Sequence, residues 1–231
     1  MQLLTRFISA AVCTLLLSLP LAFASDKEIN LLPKYGSLPK SEQAQEADRR
    51  FIANIDEHFN GDRGKASREI AMKGWEYLRS GDLSSAMRRF NQAWLLDAKN
   101  PQALWGMAAV VGGQGEVDQA LALFREAEAI DGNNIDLAVD GTRMMSYAAV
   151  HRKEPALMSE AMVRFERISK QAPNHPVNWQ NWAIALYFVG DYAASWEKIA
   201  RMEALGPFSL KDTRFIDALA AKMPRPATAS K

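Results

Sequence analysis

Cysteine occurs once in this 231-residue chain, at Cys13, inside an apolar N-terminal stretch. That stretch has the layout of a secretory leader: Arg6, apolar residues from Phe7, a breaker at Pro20 and the small-x-small site Ala22-Phe23-Ala24. Cleavage is expected after Ala24. Val12 stands where a lipidation signal carries a small residue, so Cys13 reads as an ordinary member of the apolar run. Past residue 24 there is no cysteine, which excludes thiolate metal sites, cysteine nucleophiles and a disulfide framework. A cysteine-free exported domain of this size fits a bacterial periplasm, because it buries enough apolar surface to fold without cross-links.

Other absences narrow the reading further. The apolar stretch 7–23 is seventeen residues long and broken by proline, so no membrane span is expected in the mature chain. Losing Arg6 with the leader lowers Lys plus Arg from 28 to 27, equal to the 27 Asp plus Glu. With no net field, neither nucleic acid nor anionic lipid is an expected partner. His58, His151 and His175 are far apart and share no metal-ligand spacing, so they read as solvated or capping side chains. Gly112-Gly113-Gln114-Gly115 has no preceding strand and no Lys-Ser or Lys-Thr ending; an interhelical turn accounts for it better than a phosphate loop. No acid, base and nucleophile converge, so no enzymatic activity and no cofactor are expected.

What the chain does have is self-similarity. Residues 67–100 align with 101–134 at a period of 34, placing Gly74 on Ala108, Gly81 on Gly115, Ala86 on Ala120, Phe90 on Phe124, Ala93 on Ala127 and Asp97 on Asp131. A further copy spans 176–209, where Trp179, Trp182, Ala183, Leu186, Gly190 and Tyr192 recur at the same offsets. Between them, 135–175 carries Phe165 and Ala172-Pro173-Asn174 at a repeat end, with Ala161 seven residues late. Seven residues is about two helical turns, so the packing faces stay in phase and the pair is lengthened around His151-Arg152-Lys153, with Pro155 opening its second helix. Each copy reads as two antiparallel helices joined at a glycine, with small residues where helices lie close and rings filling the grooves.

These residues resemble the tetratricopeptide repeat family. The resemblance implies an all-α, right-handed α-solenoid of about four helix pairs (67–100, 101–134, 135–175 and 176–209). A C-terminal capping helix is expected over 210–223 and a disordered tail over 224–231. Upstream, 41–60 reads as a helix with Ser41 as N-cap, and the two Leu-Pro-Lys copies in 25–40 predict an extended arm that folds back onto the repeats. Departures from the family pattern are Lys73 at a Leu position, Ala98 and Gly132 for the closing Pro, and Met202 for a small residue.

The resemblance also implies a concave groove lined by the second, fifth, ninth, twelfth and thirteenth positions of each first helix. In this sequence these are Arg68, Ala71, Trp75, Leu78 and Arg79; Gln102, Trp105, Ala109, Gly112 and Gly113; Asp136, Val139, Arg143, Ser146 and Tyr147; and Val177, Gln180, Ile184, Tyr187 and Phe188. Several carry two readings. Gly112-Gly113 marks either a close approach to the backbone or a helix ending at Val111. Tyr187 and Phe188 either line the groove or fill the core beneath the capping helix. Asp136, Asp140 and Arg143 share a helix face as an ion pair or as ligand contacts. The expectation is a non-catalytic interaction module or adaptor that holds a peptide or partner protein in its groove. The alternative is a structural scaffold or self-associating envelope component that uses its convex face.

Overall fold

The computed structural model describes residues 26–207, 209 and 211–227, and among them every regular element is helical. The expected leader, 1–24, and residues 228–231 of the tail lie outside the described residues. The elements run α1 (Asp26–Ile29), a 3-10 turn (Pro33–Ser37), α2 (Glu42–His58), α3 (Arg63–Arg79), α4 (Leu83–Leu96), α5 (Pro101–Gly113) and α6 (Val117–Ile130). They continue with α7 (Ile135–Arg152), α8 (Pro155–Gln171), α9 (Pro176–Phe188), α10 (Tyr192–Glu203) and α11 (Thr213–Lys222).

Helices α3/α4, α5/α6, α7/α8 and α9/α10 are antiparallel pairs, stacked in a right-handed solenoid that α11 closes. Ala86, Ala120 and Ala161 are fully buried where the helices of a pair meet, and Phe90, Phe124 and Phe165 are buried one turn later in α4, α6 and α8. A helix backbone needs a small residue opposite a ring of that size. Phe90 shows the limit of this rule, because a Cβ on Gly74 would stand 2.6 Å from its ring and one on Gly106 only 2.1 Å.

Buried polar joints fix one pair on the next. Asn100 caps α5 by accepting from the Gln102 and Ala103 amides, and its Nδ2 donates to Ser67 Oγ at 2.7 Å. The Ser67 hydroxyl in turn donates to the Ala93 carbonyl at 2.7 Å. One period on, Asn134 caps α7; His175 takes the same place before α9, where Nδ1 accepts from the Asn178 amide and Nε2 donates to Asp136 Oδ1 at 2.9 Å. The capping reading thus accounts for His175.

Three stretches depart from expectation. First, α3 begins at Arg63, four residues before the repeat boundary at 67, because Asp62 caps it by accepting from the Lys65 amide. The extra turn packs on α2, whose Ile55 is buried with Ala66 and Leu96.

Second, the arm is not extended. After α1 it turns through Lys34, Tyr35, Gly36 and Ser37 at φ 52°, 56°, 65° and 53°. Left-handed backbone costs an L-residue about 1–2 kcal/mol, so contacts from outside the segment must hold it. Ile29, Pro33 and Tyr35 are buried, and the segment lies on α4 and α6, the outer layer of the solenoid, rather than in the groove.

Third, the chain just beyond α11 is tied down. Trp196 Nε1 donates to the Met223 carbonyl at 2.9 Å, the Arg225 guanidinium lies 5.3 Å from the Trp196 ring, and Arg225 pairs with Glu203. The expected disorder does not begin at 224.

Candidate functional site

The first helices α3, α5, α7 and α9 form the inner layer, and their exposed side chains make the site. At its N-terminal end Met72, Trp75, Glu76 and Arg79 of α3 and Gln102 and Trp105 of α5 line an open cleft of about 410 Å³. The Trp75 and Trp105 rings meet edge to face at 5.1 Å and 73°, and Trp75 meets Phe90 the same way at 5.4 Å. Both indole N–H groups are already spent on the next helix: Trp75 Nε1 donates to Gln102 Oε1 (3.1 Å) and Trp105 Nε1 to Asp140 Oδ2 (3.0 Å). The indoles therefore offer the cleft apolar surface only. Glu76 is held by Lys73 at 2.8 Å.

From Asp140 the line continues along α7 to α9. Arg143 stands 3.8 Å from Asp140 and 5.9 Å from the Tyr147 ring, and Tyr147 meets Phe188 at 6.5 Å. Phe188 is 48% exposed, whereas Tyr187 is packed between Phe188, Tyr192 and Phe215 of the capping helix at 5.5–5.8 Å. Of the two rings, Tyr187 is packing beneath the cap and Phe188 is surface.

Asp136 is held by His175, and Asp140 serves Trp105 and Arg143, so these residues brace the groove. Burial pushes the Asp140 carboxyl above its ordinary range, only partly offset by Arg143 and the Trp105 hydrogen bond. A carboxyl raised in the folded state contributes stability that is complete below its unfolded pKa and lost as pH rises through the folded one. Asp140→Asn keeps an acceptor for Trp105 and has no such loss. Its melting temperature is expected to exceed the parent's at pH 7, with the gap closing on acidification; thermal denaturation across pH checks this.

The other candidates sort by helical angle. With the fifth position of each first helix at zero and about 100° per residue, the ninth, second and thirteenth fall at about 40°, 60° and 80°. The twelfth falls at about −20° on the same scale. Ala71, Val139 and Gln180 (fifth) and Ser146 (twelfth) are buried; Gln180 accepts from the Asp212 amide. Met72 and Glu76, at about 100° and 140°, complete the open face. Sequence reasoning missed both, although Met72, Trp75, Glu76 and Arg79 form an i, i+3, i+4, i+7 stripe. Arg68 is exposed on α3 but does not line the cleft.

At Gly112 the helix does not end at Val111, and what approaches is the chain itself: a Cβ there would stand 2.6 Å from Met144 Cε of α7. Gly113 is exposed with nothing within 4 Å of such an atom, so no contact within the chain requires glycine there. No group of three or more His, Cys, Asp or Glu able to hold a metal occurs among the described residues, and no described helix is long and apolar enough to cross a membrane.

Residues 77–139, from the end of α3 into α7, match the tetratricopeptide repeat family. The chain folds as a tetratricopeptide-repeat solenoid. Solved structures agree at the level of fold. The chain is similar to MamA, residues 41 to the end, from Desulfovibrio magneticus RS-1, with 17% identity and a TM-score of 0.54 over 73% of this chain and 90% of that one. It is also similar to TTC0263, a thermophilic TPR protein in Thermus thermophilus, with 14% identity and a TM-score of 0.56 over 68% and 80%. No curated protein matches the sequence. Tetratricopeptide arrays act as non-catalytic interaction modules, built to present a surface rather than a reaction centre.

Proposed function

We propose that the protein is an exported adaptor that captures a polypeptide on its inner face, with the Trp75/Trp105 cleft as the anchoring point. The observation that carries this reading is the cleft itself: two indoles whose polar atoms are spent, beside Met72 at 57% exposure. Surfaces of that kind favour a large apolar side chain, whose burial between aromatic anchors supplies most of the binding energy. The leader features at Pro20 and Ala22-Phe23-Ala24 support an envelope location.

The test uses the chain from Ser25 as bait against envelope and cytosolic extracts of its own cell. A specific partner is expected from the envelope fraction only. Trp75→Ala and Trp105→Ala are each expected to weaken its capture about thirtyfold or more, as for truncated aromatic hot spots. Val163→Asp, on the outer surface of α8 where Val163 is 66% exposed, is expected to leave capture unchanged. Loss with Val163→Asp and retention with both Trp variants would transfer the function to the convex face.

A further inference from the structure

The outer face of α4 carries a site that no other helix of the array repeats. Asn91 is fully buried, and its Nδ2 donates to two carbonyls of the arm, Asn30 O at 3.0 Å and Leu32 O at 2.8 Å. One period later the same position is Arg125, which is exposed. Asn91 is therefore inside only because the arm covers it. Trp94, whose counterpart is Glu128, meets the Tyr35 ring at 6.5 Å, and Lys34 Nζ reaches Glu126 Oε2 of α6 at 2.7 Å. Carbonyls two residues apart, followed by buried Pro33, are chelated by one amide. The recognition resides in the segment 29–33 and does not require that segment to belong to the same chain.

What keeps it in the same chain is the turn that follows. Lys34, Tyr35 and Ser37 are L-residues in left-handed backbone, and with Gly36 they form a tight turn. Lys40 then lies 3.2 Å from the Tyr35 ring centroid and pairs with Asp48 of α2. A short, strained connection between a docked segment and the rest of a domain is the setting in which two copies exchange that segment. The contacts are identical in cis and in trans, and only opening of the hinge distinguishes them.

We propose that this outer face is a self-association surface: Ile29–Pro33 of one copy docks on Asn91 of a second copy, with residues 34–37 opened as the hinge. Opening relieves three left-handed residues and gives up the Tyr35–Trp94 and Lys34–Glu126 contacts. At low concentration the tethered arm wins, because its effective concentration is that of a short linker.

The exchange is tested on the chain from Ser25 by sedimentation over a concentration series. Gly36→Val puts a β-branched residue at φ 65°, where its Cβ would stand 2.8 Å from Leu32 Cδ1. It is expected to dimerise at least about tenfold more tightly than Lys34→Gly/Ser37→Gly, which relaxes the closed turn. Deleting Gly36 and Ser37, which leaves too few residues to form that turn, is expected to give the same dimer. Adding Asn91→Ala to either hinge variant removes the docking site and is expected to restore the monomer. In the hinge background, an Asn91→Ala chain retains only the arm and an Ile29→Asp chain only the site. Each is expected to be monomeric alone, and the two to form a one-to-one dimer on mixing. Monomers from both hinge variants with helix content intact would overturn the proposal. A dimer that survives Asn91→Ala would also overturn it, since association would then use another surface.

Discussion

Phe90→Ala is expected to destabilise the protein by about 3–5 kcal/mol, at the upper end of that range for large-to-small core changes. The ring is fully buried in α4 and projects between α3 and α5, where two of its walls are the backbones of Gly74 and Gly106. A cavity heals when neighbouring side chains lean into it, and glycine has none to offer. Phe124 is buried to the same degree, but the nearest glycine, Gly141, would place a Cβ 3.7 Å from Phe124 Cβ and meets Glu128 Oε1 first, at 2.1 Å. Phe124→Ala should thus fall lower in the range. Urea denaturation of both variants gives the two values, and a loss below about 1 kcal/mol at both would contradict the packing described here.

The second large effect is the converse, and its sign is the test. Alanine normally stabilises a helix interior by about 1 kcal/mol relative to glycine. Gly106→Ala should destabilise instead, by about 1–3 kcal/mol or more. Its Cβ would stand 2.1, 2.2 and 2.5 Å from three atoms of the Phe90 ring, which has no free volume to retreat into. Gly113→Ala in the same helix is the control, since nothing lies within 4 Å of its added atom, and it should be neutral or mildly stabilising. In the double variant Gly106→Ala/Phe90→Leu the smaller side chain makes room, so the two losses should not add. Additive losses would mean that Gly106 and Phe90 are not in contact.

The solenoid was readable because each of its requirements recurs. Ala86, Phe90 and Gly81 have counterparts at Ala120, Phe124 and Gly115, and a pattern written more than once is hard to mistake for chance. The groove was readable only in part. Carrying over five positions per helix placed Ala71, Val139, Ser146 and Gln180 on a surface where they are buried. On α3 the open face is rotated toward the ninth and thirteenth positions, Trp75 and Arg79, whereas α5 meets the same cleft through its second and fifth, Gln102 and Trp105, and the side chains packed from the neighbouring helix decide that angle. The arm illustrates a different limit. Its prolines favour extended backbone when local preference acts alone, but contacts with residues far along the chain, Asn91 on the segment before the turn and Trp94 and Glu126 on the turn itself, hold the arm in a shape that its own sequence resists. The trace of this in the sequence was Asn91 itself, set where the next copy has Arg125.

The lengthened third pair has a consequence for the array as a whole. Helix α7 has 18 residues and α8 has 17, against 13 and 14 in α5 and α6. Five further residues at 1.5 Å each lift the hairpin at Lys153 about 7 Å above its neighbours. Arg152 holds it there through a 2.6 Å ion pair with Asp118 at the start of α6. A uniform stack of pairs would present the same rim along its whole length, and a bound chain could slide along it by one repeat. This parapet interrupts the rim between the Trp75/Trp105 cleft and the Phe188 surface and gives the array a head and a tail, so a polypeptide captured as proposed would meet a different edge at each repeat.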